Sequence, residues 1–79
     1  MNSILIGNEL RAVRSRLNLS LREAEKITGI RAQKLSVYEN GKVNIKVCTL
    51  EKILNSYGSS LYIFFKDIYE YTHRNEEKT

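Results

Sequence analysis

Three glycines, at positions 29, 41 and 58, separate segments whose apolar residues recur at helical spacing, and the chain has no proline. Glycine ends helices readily, so the pattern allows short helices joined by tight turns and little else. Ile6, Leu10, Val13 and Leu17 make one face of a first helix. Ser20 and Glu23 have the spacing of a capping box, in which the serine oxygen accepts from the third amide and the glutamate reaches back to the cap amide. A second helix therefore starts at Leu21 and stops at Gly29, and a third covers about 32–40 before Gly41. Val47, Leu50, Ile53, Leu54 and Tyr57 form the stripe of a fourth. Ser60 caps a fifth, with Leu61, Phe64, Phe65 and Ile68 inward. No segment alternates with period two for long, which argues against strands. The expectation is one all-α domain, 1–79, a five-helix bundle with its core at about 4–71 and a polar tail, 72–79, that frays.

A chain of 79 residues has room for one small domain with a marginal core. Its net charge of +4 and pI near 9.4 favour polyanionic partners. Cys48 is the only cysteine, so no intramolecular disulfide framework exists and a reducing compartment fits. The N-terminus lacks the basic flank and long apolar core of a signal peptide, and no apolar run is long enough to span a bilayer. The chain reads as cytoplasmic, with no membrane association. One cysteine and the distant His73 make no nucleophile with a base, and no metal-ligand spacing occurs. The expectation is a non-enzyme with no cofactor and no metal, in which Cys48 is a small, partly buried filler.

Residues 28–42, TGIRAQKLSVYENGK, join two short helices through a glycine turn, the pattern of a helix-turn-helix. Ile30, Leu35 and Tyr38 have the spacing to face the core. Arg31, Ala32, Gln33, Lys34, Val37 and Lys42 are then left to face outward. Small residues at the start of an exposed helix allow close approach to a major groove. Glutamine can bond bidentately to adenine, and lysine to guanine or phosphate.

In the order and spacing of its pieces the chain resembles the phage-repressor type of helix-turn-helix, the Cro-like or XRE-type family. The pieces are Ile6-Gly7 with Leu10 and Arg14; Leu19-Ser20 with Glu23; Thr28-Gly29-Ile30; Leu35-Ser36 with Tyr38-Glu39-Asn40-Gly41-Lys42; Thr49-Leu50 with Ile53; and Gly58 with Ser60-Leu61. They cover about 6–65. The resemblance implies a lambda-repressor-like fold that binds double-stranded DNA. It places base reading on Ala32, Gln33 and Val37, with Lys34 nearby. Ser20 and Leu21 would meet the sugar-phosphate backbone, with Arg31 beside the reading helix. Asn40, Lys42, Asn44 and Lys46 would hold phosphates on the other side. It also implies a structural pair, Arg14 with Glu39. Lys42, Lys46 and two first-helix arginines suggest about four neutralised phosphates per subunit.

Three departures stand out. Ile45 replaces a frequent proline, Glu25 replaces a small alanine, and Ala32 and Val37 occupy reading positions often filled by polar side chains. A lone buried carboxylate is costly, so Glu25 must reach solvent or be held by third-helix amides or a cation. Tyr62, Ile63, Tyr69 and Tyr71 exceed what the fifth helix needs for the core. They are expected to form a homodimer interface, as relatives commonly use this end of the fold. The functional expectation is a transcriptional regulator, most simply a dimeric repressor on a two-fold operator. The alternative is the DNA-binding antitoxin of a toxin–antitoxin pair, whose protein partner would be a toxin. An anti-repressor partner, or a place as the first domain of a longer regulator, also stays open.

Overall fold

The computed structural model describes residues 2–73. They form α1 Ser3–Arg16, α2 Leu21–Thr28, α3 Ala32–Glu39, α4 Val47–Ser56 and α5 Leu61–Thr72, with no strand among the described residues. The expected frayed tail falls mainly on 74–79, outside the described residues. α5 itself continues through Thr72.

Local chemistry explains most boundaries. Asn2 Oδ1 accepts from the Ile4 and Leu5 amides and starts α1. Asn18, with φ 57, turns the chain after α1, in a left-handed conformation that asparagine tolerates. The Ser20–Glu23 capping box is complete: the Glu23 amide donates to Ser20 Oγ at 3.1 Å, and the Ser20 amide donates to Glu23 Oε1 at 2.9 Å. These bonds hold the Glu23 carboxyl below its usual pKa, the Ser20 amide being the larger cause. Gly29, with φ 76, ends α2. Ser60 accepts from the Ile63 amide and starts α5.

α3 packs chiefly on α1 and α2, α4 joins α2 to α5, and α5 returns to α1. Ile6, Leu10 and Val13, Ala24, Leu35 and Tyr38, Leu50, Ile53 and Leu54, Tyr57 and Phe64 form the core. Full burial of such side chains contributes about 1.5–3 kcal/mol each. Ile30, Leu61, Phe65 and Ile68 pack around it, partly buried.

Three expectations change. Leu17 is 44% exposed, because α1 stops at Arg16 and the chain turns before the stripe can continue. Val47 is 64% exposed at the overhanging first turn of α4, so its stripe starts at Leu50. Cys48, one residue on, is exposed and fills nothing. Conversely, Ala24 and Thr28 are buried. Thr28 Oγ1 donates to the Ala24 carbonyl at 2.8 Å and accepts from the Ile30 amide at 3.1 Å, which fastens the α2–α3 turn.

Gly7 sets how closely α1 crosses the end of α3. A Cβ there would lie 2.5 Å from the Glu39 carbonyl oxygen and 2.6 Å from that of Tyr38. Both obstacles are backbone, so only glycine permits this approach.

Candidate nucleic-acid interface

α3 is eight residues long and is held at both ends by charged side chains from other helices. At its C-terminal end the Arg14 guanidinium donates through Nε to Glu39 Oε2 at 2.7 Å and through Nη2 to Glu39 Oε1 at 2.9 Å. Arg14 Nη1 also donates to the Leu19 carbonyl at 2.8 Å, so one side chain ties α1, the α1–α2 turn and α3 together. Glu39 is 4% exposed and Arg14 15% exposed. A carboxylate this buried needs a full partner, and the planar guanidinium fork supplies one. The Glu39 bond is the main cause of a raised Arg14 pKa, outweighing the opposing effect of burial. The Tyr57 phenol is also raised, chiefly by burial and secondarily by the Glu39 charge.

The pair is extended by Arg11, whose Nη2 donates to Asn40 Oδ1 at 2.9 Å and whose Nε lies 3.6 Å from Glu39 Oε1. Asn40 Nδ2 donates in turn to the Ser36 carbonyl at 2.9 Å. Both ends of the exposed Asn40 amide are thus engaged within the protein. The first-helix arginines are engaged too. Arg14 and Arg11 serve the Glu39 network, and Arg16 pairs with Glu9 at 3.1 Å. Of the three, only Arg14 is mostly buried; the Arg11 and Arg16 side chains are exposed.

At the N-terminal end Arg31 occupies the cap position without a side-chain bond to the helix. Glu25 caps it from α2 instead: the Ala32 amide donates to Glu25 Oε1 at 2.7 Å. The carboxylate departure at this position is therefore exposed and hydrogen-bonded, held by the third-helix amide as the sequence required.

Between these two clamps α3 presents Gln33 and Lys34 exposed, with Ala32 and Val37 half-buried beside them. Lys34 Nζ lies 6.0 Å from the Tyr38 ring centroid. Arg31, Gln33, Lys34, Val37, Asn44 and Lys46 line one open recess of about 540 Å³ along α3, together with Tyr38, Val43 and Thr49. Thr49 belongs to the family's pattern but is given no place at the interface by it, and nothing in the spacing sets Val43 apart. Asn44 Oδ1 accepts from the Ser3 hydroxyl, which fixes the α3–α4 connection against α1. Lys42 is exposed beyond the end of α3, and Lys46 stands exposed at the start of α4. Ser20 and Leu21 open α2, where the Ser20 hydroxyl is already the helix cap.

The four residues expected at a dimer interface are exposed, but they do not form one face. Tyr62 and Tyr69 are seven apart and share one side of α5, with Ile63 about a quarter-turn away. Tyr71 falls about half a turn from Tyr62. It lines a groove of about 240 Å³ against α1 with Leu5, Asn8, Glu9, Ala12 and Ile68. Helical register splits the set. Among the described residues no helix is long and apolar enough to cross a membrane, and no group of three or more His, Cys, Asp or Glu could hold a metal.

A short capped helix, a glycine turn and an exposed second helix clamped against a bundle define a helix-turn-helix DNA-binding domain of the transcription-regulator class. The chain belongs to the helix-turn-helix domain family, whose sequence pattern matches residues 7–70. This family is one of DNA-binding proteins rather than enzymes. The HTH-type transcriptional regulator PuuR of Escherichia coli (strain K12) is 36% identical over 61 residues, which cover 77% of this chain and 33% of that protein. PuuR of Shigella flexneri gives the same values. The chain thus spans about a third of the length of the curated relatives it matches. Two crystal structures of the clp gene regulator ClgR from Corynebacterium glutamicum share the fold. One has a TM-score of 0.79 at 20% identity, covering 86% of this chain and 88% of the other. The second has a TM-score of 0.82 at 18% identity, covering 99% and 83%.

Proposed function

We propose that α3 enters the major groove of duplex DNA and reads one half-site, with Gln33 as the main base contact and Lys34, Ala32 and Val37 beside it. The observation that carries this reading is the recess along α3. It joins a donor–acceptor amide, three cations (Arg31, Lys34 and Lys46) and small apolar side chains on one open surface. Lys42, Lys46, Arg31 and the Leu21 amide at the start of α2 hold phosphates, with the capped Ser20 beside it, and these contacts position the domain without specifying sequence. Asn44 supports the connection that carries Lys42 and Lys46. Ala32 and Val37 offer methyl groups to thymine, so shape readout accompanies a thin set of polar base contacts.

One such module covers few base pairs. Two copies joined through Tyr62, Ile63 and Tyr69 of α5, on half-sites about one helical turn apart, supply the remaining specificity. Such a dimer acts most simply as a cytoplasmic repressor that occludes a promoter. Selection of bound sequences from a random duplex library tests this reading. The expected consensus is two-fold symmetric, and with about three phosphates neutralised per subunit the log–log salt slope is about −5. A slope near zero, or no enriched sequence, overturns it.

A further inference from the structure

We infer that Glu25 sets the strength of the sequence-independent part of binding: it keeps phosphate out of the cleft at the start of the recognition helix and thereby lowers affinity for DNA of every sequence. The inference rests on the proposal that α3 faces DNA, and it concerns a residue outside the base-reading and phosphate-holding sets.

The N-terminal turn of any helix offers unpaired amides and a positive dipole end to anions. In α3 this end has no side-chain cap of its own and no acid in its first turn. Its surroundings are strongly cationic. Arg22, Lys26 and Arg31 line one cleft of about 480 Å³ with Ala32 and Gln33. Left open, such a cleft would hold a phosphate of any sequence, because backbone amides and arginines on phosphate carry no base information. The one carboxylate lining the cleft is Glu25, and it is already bonded to the Ala32 amide at 2.7 Å. It takes the place an incoming phosphate would take and repels a phosphate approaching beside it. Gln33, next to Ala32, stays free to meet a base edge. The sequence-independent part of binding falls on every DNA, while the base contact is kept.

Glu25→Gln separates charge from capping. The amide oxygen can still accept from the Ala32 amide, but the negative charge is gone. Wild type and variant would be titrated against a random-sequence duplex and against the selected operator, across a range of salt. Expected for Glu25→Gln are random-sequence binding about fivefold to tenfold tighter at low salt and a salt slope steeper by about 0.9 per subunit. Operator affinity should rise by a similar factor, with base preference unchanged. Its melting temperature should stay near wild type, whereas Glu25→Ala, which loses the cap as well, should melt lower. Glu25→Gln with unchanged random-sequence affinity and slope overturns the inference while leaving DNA binding by α3 intact. Wild type that fails to bind either duplex overturns the functional reading itself, and this inference with it.

Discussion

Replacing Arg14 by alanine removes the side chain on which the placement of α3 depends most. The substitution loses two charge-assisted bonds to Glu39 and one to the Leu19 carbonyl. It also leaves a carboxylate that is 4% exposed facing a protein interior. Removing one partner of a fully buried pair costs about 3–5 kcal/mol. Arg11 Nε remains 3.6 Å from Glu39 and offsets part of this, so a cost of about 2–4 kcal/mol is expected. For a domain of this size each kcal/mol lowers Tm by about 4–8 °C, giving a fall of roughly 10–25 °C. Thermal unfolding by circular dichroism reads it directly. Arg14→Met combined with Glu39→Met should regain at least half of the loss, since apolar replacement of a buried pair is often close to neutral. A single-variant cost under about 1 kcal/mol, the range of exposed pairs, would refute the claim that this bridge is buried and organising.

Other outcomes follow from single positions. Gly7→Ala should cost about 1–3 kcal/mol and weaken DNA binding, because its Cβ meets two α3 carbonyls and pushes the recognition helix away. Gly29→Ala, with nothing within 4 Å but φ +76, should cost only about 1–2 kcal/mol and leave specificity unchanged; calorimetry and a binding titration separate the two. The Tyr57 phenol is raised in the folded state, so its contribution to stability is fully present below the unfolded value near pH 10 and is lost as pH rises through the folded value. Denaturant titrations should therefore show wild type losing stability above about pH 10, with Tyr57→Phe losing less. Tyr62→Ser with Tyr69→Ser should give a folded monomer by sedimentation, whereas Tyr71→Ser should leave the dimer. The reverse result would place the interface on the α1 side of α5.

The helices were legible because their ends are written locally. Ser20 and Glu23, Ser60, and the glycines at 29, 41 and 58 each act within a turn of where they stand. The Arg14–Glu39 pair came from the family resemblance, since nothing in a separation of 25 residues announces a contact. Leu17 and Val47 were misplaced for one reason: periodicity says which face a residue shares but not where the helix stops being covered. Asn40 and the arginines of α1 look like free polar groups in a sequence. Only the crossing of α1 over the end of α3, permitted by Gly7, shows that Arg11 meets Asn40 and Arg14 meets Glu39. The tyrosines of α5 were grouped by nearness in sequence, although their register separates Tyr71 from Tyr62 and Tyr69.

The division of this surface into a reading face and an anchoring face is tested most directly by Gln33→Ala and Lys42→Ala, each titrated on the selected operator, on its single-base variants and on unrelated DNA. Gln33→Ala should cost about 1–3 kcal/mol on the operator and relax preference at one base pair. Lys42→Ala should weaken every sequence about equally and reduce the salt slope by about one unit per subunit. Gln33→Ala weakening all sequences alike, with Lys42→Ala changing base preference, would contradict the assignment of the two faces.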